Sequence, residues 1–185
     1  MPPVNTNEAT EAITQLLHAF NIPTTDHTTR TPQRVVKAWQ YRLKGYMENP
    51  RNHLATKFTA PDNPGLIIAR NIRIQTTCAH HLLPITGTAT IAYRPQAGQK
   101  IVGLSKLARL AEGYAHRLQT QEQLTSQIVT ALHEELHPMW AACEITATHG
   151  CMTLRGVRDT GTTTTTFREC GEPTGADMTL FTAGH

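Results

Sequence analysis

Apolar positions in the first part of the chain recur at helical spacing. Ile13, Leu16, Leu17 and Phe20 share one face and predict a helix over 8–20, after a disordered start at 1–9. Pro23 and the polar run to Thr29 end it. Thr31-Pro32 has the form of a cap followed by proline at the first helical position. Val35, Val36, Trp39 and Leu43 then give a second helix its apolar face, and Gly45 its stop. Residues 47–65 hold Pro50, Pro61, Pro64 and Gly65 and are expected to form a loop. From there the period shortens. Strands are predicted over 66–74 and 86–93, with a turn at 95–98. Helical spacing returns over 104–118 (Leu107, Leu110, Ala111, Tyr114) and 122–136 (Leu124, Ile128, Leu132, Leu136), closed by Pro138. Three more strands are expected, over 142–148, 152–157 and the threonine run 162–166 ending at Phe167, because β-branched residues favour extended chain. Residues 170–185 carry three glycines and a proline in the manner of a loose tail. Two helices, two strands, two helices and then strands make an α+β fold with a largely antiparallel sheet. The expected divisions are a helical region at 1–46, a loop at 47–65, a strand-rich domain at 66–170 and a tail at 171–185.

Composition narrows the class. A chain of 185 residues suits one domain with an N-terminal helical extension. Its apolar content is lean, at 39% hydrophobic and 5% aromatic, which suits some burial between subunits. The net charge of +3 fits a phosphorylated small molecule, and no run of Lys and Arg favours nucleic acid. No stretch of eighteen apolar residues predicts a membrane span, and the first residues lack the pattern of a signal peptide. A cytoplasmic address is the expectation. There, four cysteines serve as metal ligands or free thiols rather than as disulfides.

Two clusters carry the candidate chemistry: Cys78-Ala79-His80-His81 and His149-Gly150-Cys151. A catalytic zinc takes three thiolate or imidazole ligands and keeps a fourth place open. Cys78, His81 and Cys151 would supply three, leaving His80 and His149 beside the metal as proton carriers. If 149–151 is extended, His149 and Cys151 point to one side. The competing reading is a buried thiol beside a surface histidine. Cys143 and Cys170 have the surroundings of a core thiol and a tail thiol. The remaining histidines, at 18, 27, 53, 116, 133, 137 and 185, are assigned to the surface or to helix faces.

Gly103-Leu-Ser-Lys-Leu-Ala-Arg109 places Lys106 and Arg109 three apart on a helix, with Ser105 where a cap would stand. That is either a polyphosphate site at a helix start or a solvated basic face. Glu122 could cap the next helix, or accept two parallel N–H bonds from a guanine edge. Arg155, four residues after Cys151, is either a phosphate ligand or a surface charge.

Taken together, these stretches resemble the GTP cyclohydrolase I family. The motifs are Thr31-Pro-Gln-Arg-Val-Val-Lys37, Thr77-Cys-Ala-His-His81, Gly103 to Arg109, Arg117-Leu-Gln-Thr-Gln-Glu122 and His149-Gly-Cys-Met-Thr-Leu-Arg-Gly156, in the family's order over roughly residues 8–168. The resemblance implies a tunnelling fold, with an antiparallel sheet, helices on one side and subunits that join sheets into a barrel. It implies a homo-oligomer, typically a decamer, with active sites between subunits. It implies zinc on Cys78, His81 and Cys151, and proton handling by His80 and His149. Guanine would be held by Glu122 helped by Gln121, and triphosphate by Ser105, Lys106, Arg109, Arg155 and a neighbour's Arg34. The implied reaction is hydrolysis of GTP at C8, release of formate and rearrangement to 7,8-dihydroneopterin triphosphate, which feeds folate, pterin or deazapurine synthesis.

The chain departs from the family's pattern at Ala79, where Glu is usual, at Ile85, where Phe is usual, and at Gln123, where a basic or small residue is usual. Ala79 keeps a second reading open, a divergent hydrolase that takes another purine nucleotide or stops at a ring-opened intermediate. A third is a zinc-stabilised binding protein without turnover. A related nitrile reductase shares the fold but uses a cysteine nucleophile and NADPH, and the three zinc-type ligands count against that reading.

Overall fold

The computed structural model describes residues 3–183; Met1, Pro2, Gly184 and His185 lie outside them, and with them the ends of the expected disordered start and loose tail. Helix α1 (Thr6–Ala19) begins inside the stretch expected to be disordered, because Asn5 caps it by accepting from the Glu8 amide at 3.2 Å. It buries no residue fully. Helix α2 (Thr31–Arg42) carries Pro32 in its first turn, but Thr31 is already helical and Arg30 is the cap residue. Its last residue ties it to the sheet: Arg42 donates to the Thr76 carbonyl at 2.9 Å and the Thr77 hydroxyl at 2.7 Å.

The stretch expected as loop is partly ordered. A 3-10 turn at Pro50–Leu54 buries Leu54 completely, and strand β1 (Lys57–Thr59) pairs antiparallel with β4 (Lys100–Val102).

The main sheet has five strands in the order β5-β2-β3-β6-β7. Strands β2 (Ile67–Cys78) and β3 (Pro84–Arg94) form an antiparallel hairpin with a bulge between Ala69 and Ile72. Strand β6 (Trp140–His149) pairs with β3 along its whole length, and β7 (Thr164–Gly171) pairs with β6. Strand β5 (Leu118–Gln119) lies parallel to the end of β2, so the sheet is mixed. The third predicted helix therefore stops early. Helix α3 (Leu104–Ala115) gives way to β5 before α4 (Gln121–Leu136) starts, with the Thr120 side chain as its cap.

Alternation along the strands separates two faces. Ala89, Ile91, Ala141, Cys143, Ile145 and Ala147 pack with Leu107, Leu110, Leu124, Ile128 and Leu132 of α3 and α4 in the main core. Ala92, Trp140 and Ala142 face the other way and pack with Phe181. Phe181 belongs to α6 (Gly175–Thr182), where a loose tail was expected. Helices thus cover both faces rather than one. The tail folds because Thr174 and Asp177 make a reciprocal capping box and because Arg94 pairs with the fully buried Asp177 carboxylate. Cys170 sits in β7 against the core, not in a tail. His116 is buried rather than on the surface, and burial lowers its pKa. His185 lies outside the described residues. No helix among the described residues is long and apolar enough to cross a membrane.

Candidate active site

The site forms where β2 turns into β3. The chain reverses over residues 79–82, closed by Cys78 N donating to Leu83 O at 2.8 Å and Leu82 N to Cys78 O at 2.9 Å. Leu82 takes φ 58°, a left-handed conformation uncommon for a branched side chain. Ala79 N donates to Gln119 O at 2.9 Å, which anchors the turn on β5. Cys78 is buried under it, while Ala79, His80 and His81 are exposed.

The second cluster arrives on β6. The pairing of Ile85 with His149 brings the end of β6 beside the start of β3. The chain does not continue extended through 152–157 as expected. It coils into a short helix, α5 (Gly150–Thr153), packed so closely on β3 that a Cβ at Gly150 would lie 3.0 Å from the Pro84 carbonyl. His149 and Cys151 are therefore not alternate residues of one strand. The helical turn carries Cys151 to the hairpin.

There the ligand atoms of Cys78, His81 and Cys151 lie within 4.8 Å of one another, with Cys78 Sγ 3.9 Å from His81 Nδ1. Zinc bonds of ordinary length in a tetrahedron set sulfur and nitrogen ligands about 3.6 Å apart, so the spacing fits. The chemistry of the donors fits as well. Desolvation and the neighbouring Cys78 thiol push the Cys151 thiol up, so two adjacent thiolates call for a cation between them. Three protein donors with an exposed side leave a fourth position for a small molecule.

Beside the cluster the structure places His149, His80 and Arg155. His149 Nε2 is 2.7 Å from Gln121 Oε1. Gln121 is buried, and its amide nitrogen donates to Ile145 O at 2.8 Å, Thr164 O at 2.9 Å and Thr166 Oγ1 at 3.1 Å. Its side chain is engaged within the protein, whereas Glu122, next along the first turn of α4, is exposed. The His80 ring stands 6.2 Å from the His81 ring and perpendicular to it. Arg155 Nη1 lies 3.1 Å from His81 Nε2. A guanidinium only donates, so Nε2 accepts there. A metal on either nitrogen of His81 excludes that bond: on Nε2 it takes the lone pair, and on Nδ1 it leaves a hydrogen on Nε2.

Ser105 and Lys106 are not brought to this cluster within one chain. They lie in the first turn of α3 next to β4, where Gly103 lies near Phe58, and Arg109 lies midway along the helix. The cluster lies beside β5, just past the other end of that helix. Ten residues of helix separate Ser105 from Ala115, about 15 Å. Gly103, not Ser105, is the cap residue. Arg34 is exposed on α2 in a shallow basic groove with Arg30 and Lys37. Sequence reasoning missed the links Gln121–His149 and Arg155–His81, because both depend on how α4, α5 and the hairpin meet.

The fold and the cluster define an α+β protein with a Cys/His/Cys group that could hold a metal at the end of its sheet. A family model described as GTP cyclohydrolase I matches residues 9–179. GTP cyclohydrolase 1 2 of Nostoc sp. is 43% identical over 166 residues, 89% of this chain and 76% of that one. GTP cyclohydrolase 1 of Brucella anthropi is 41% identical over 160 residues, covering 86% and 74%. That of Thermobifida fusca is 40% identical over 157 residues, covering 84% and 75%. The chain belongs to the GTP cyclohydrolase I family.

Proposed function

We propose that this protein is a zinc-dependent GTP cyclohydrolase, which hydrolyses GTP at C8, releases formate and forms 7,8-dihydroneopterin triphosphate. The observation that carries the reading is the meeting of Cys78, His81 and Cys151 in one cluster of a chain of this family. Those three residues would hold zinc, which when bound supplies Lewis-acid activation of water near neutral pH. Glu122 accepts the N1 and N2 hydrogens of guanine, a bidentate match that selects the base. His149 gives a proton to N7 as the imidazole ring opens, and His80, exposed beside His81, exchanges protons with solvent. Arg155 leaves His81 for the triphosphate.

The remaining phosphate contacts come from other copies. Ser105 and Lys106 stand most of a helix length from their own chain's cluster, which supports a site shared between subunits, with a neighbour supplying them, Arg109 and Arg34. A tunnelling-fold barrel of joined sheets, assembled as a decamer, would provide that arrangement. Held by several cations, the triphosphate stays in place while the distal ring is opened and rebuilt.

Ala79 favours a second reading. An exposed alanine stands between Cys78 and His80 where the family usually has Glu, so a reaction that stops at the ring-opened nucleotide, or another purine substrate, is the alternative. Incubating zinc-loaded protein with GTP, and following formate and the absorbance and mass of the product, separates the two. Formate with a pterin product is expected. A ring-opened product without a pterin would favour the alternative. Bound zinc with no turnover of GTP, dGTP or other purine nucleotides would leave a binding protein.

A further inference from the structure

We propose that Gln121 is a positioning residue that fixes the tautomer of His149, leaving Nδ1 as the atom that exchanges a proton with the substrate. The proposal rests on the reading of His149 as a proton carrier, and it follows from where each hydrogen in the buried network must lie.

Gln121 opens α4, and its side chain is almost wholly buried. Amide oxygen and nitrogen are told apart by their partners. One end of this amide faces Ile145 O at 2.8 Å and Thr164 O at 2.9 Å. Carbonyls only accept, so that end is the NH2 group. Reversing the amide would set three oxygens against one another in a site closed to water, an arrangement costly by several hydrogen bonds.

The third contact agrees. The Thr125 hydroxyl donates to the main-chain carbonyl of Gln121 at 2.8 Å. Its hydrogen is thereby used, so in the 2.7 Å contact between the Thr125 and Thr166 hydroxyls Thr166 is the donor. Thr166 Oγ1 then has only lone pairs to offer Gln121 Nε2 at 3.1 Å.

With both amide hydrogens spent on this side, Oε1 is an acceptor. The group 2.7 Å from it, His149 Nε2, must be the N–H. Neutral His149 therefore carries its hydrogen on Nε2 and its lone pair on Nδ1. The strands that supply these partners, β6 and β7, also fix the ring's direction, because Ile145 and His149 belong to the same strand. Gln121 thus acts on the reaction through His149 rather than by touching the guanine.

The experiment is magic-angle-spinning NMR of zinc-loaded, 15N-histidine-labelled full-length protein at pH 8, with the His149 signals assigned by their loss in His149→Asn. The wild type should show a protonated Nε2 and an unprotonated Nδ1; a hydrogen on Nδ1 overturns the proposal, whatever the variants do. In Gln121→Met, close to Gln in size but without donor or acceptor, the two tautomers should mix. Its kcat should fall about 100-fold while KM for GTP and zinc content stay within twofold. A rise in KM alone, or an unchanged kcat, would return Gln121 to substrate binding or packing and refute the assignment. Should Gln121→Met not fold, the wild-type spectrum still decides. If the wild type turns over no purine nucleotide, the functional reading fails and the tautomer result stands separately.

Discussion

Replacing Asp177 with alanine tests how the C-terminal helix is held. Arg94 Nε lies 2.8 Å from each Asp177 carboxylate oxygen, Arg94 Nη2 also bonds Oδ1, and Thr174 N donates to Oδ2 at 2.9 Å. The aspartate is fully buried and the arginine side chain 21% exposed. Removing one partner of a buried pair costs about 3–5 kcal/mol, towards the lower end here because water reaches Arg94. The lost capping box adds about 1 kcal/mol, though the two effects share the same atoms and do not sum.

The titration gives a second route to the magnitude. Hydrogen bonds from Arg94, then from Thr174, lower the Asp177 carboxyl from 3.8 to about 2 against the cost of burial. At 1.36 kcal/mol per unit, that depression contributes about 2–3 kcal/mol. A carboxylate with a lowered folded pKa stabilises the fold above its unfolded value. The contribution is therefore complete above about pH 5 and lost as pH falls from about 4 to about 2.

Both routes lead to a destabilisation of about 3 kcal/mol at pH 7, limited by the energy that docks α6. Trp140 stacks edge-on against Phe181, with centroids 5.8 Å apart, so its fluorescence reports the docking. Urea titrations of both proteins at pH 7, with hydrogen exchange of the α6 amides, measure the loss. Repeats at pH 3 should show the two converging. Equal stabilities within about 0.5 kcal/mol at pH 7, with α6 equally protected, would refute the argument.

Three further outcomes are expected. Cys151→Ser should weaken zinc binding by more than about 100-fold in equilibrium dialysis while near-native circular dichroism is kept, because Cys151 is only partly buried. Arg155→Ala should tighten zinc about fivefold, since its bond to His81 competes with the metal, and should weaken GTP binding; looser zinc would contradict the exclusion argued above. Gly87→Ala should cost about 3 kcal/mol in thermal or urea unfolding, because its Cβ would lie 2.0 Å from the Thr146 carbonyl of the paired strand.

Much of this was legible in the sequence. Leu124, Ile128 and Leu132 announced the buried face of α4, and the spacing of Cys78 and His81 announced the cluster. The turn at 150–153 was not legible, since nothing local separates residues 152–157 from a strand and the chain coils where Gly150 comes close to β3. Nor was α6, although Thr174-x-x-Asp177 is a capping-box pattern; glycine and proline nearby outweighed it. The separation of Lys106 from Cys78 is a property of helix length and direction, which motif order along a chain does not encode. Gln121 seemed a polar residue free for a ligand because nothing local marks its burial under β6 and β7.

The cluster's two thiols are more than seventy residues apart in the chain, and they meet only through the β3–β6 pairing. Such a ligand set cannot seed folding. The hairpin of β2 and β3 can close early, but Cys151 arrives only after α3 and α4 have been laid down and β6 has found its register. Loop-closure entropy is overcome by strand pairing before any cation is enclosed. A metal held by this cluster would therefore enter at the last stage of assembly. Refolding without zinc should follow the same rate-limiting step as refolding with it, and zinc should act chiefly by slowing the return to the unfolded chain.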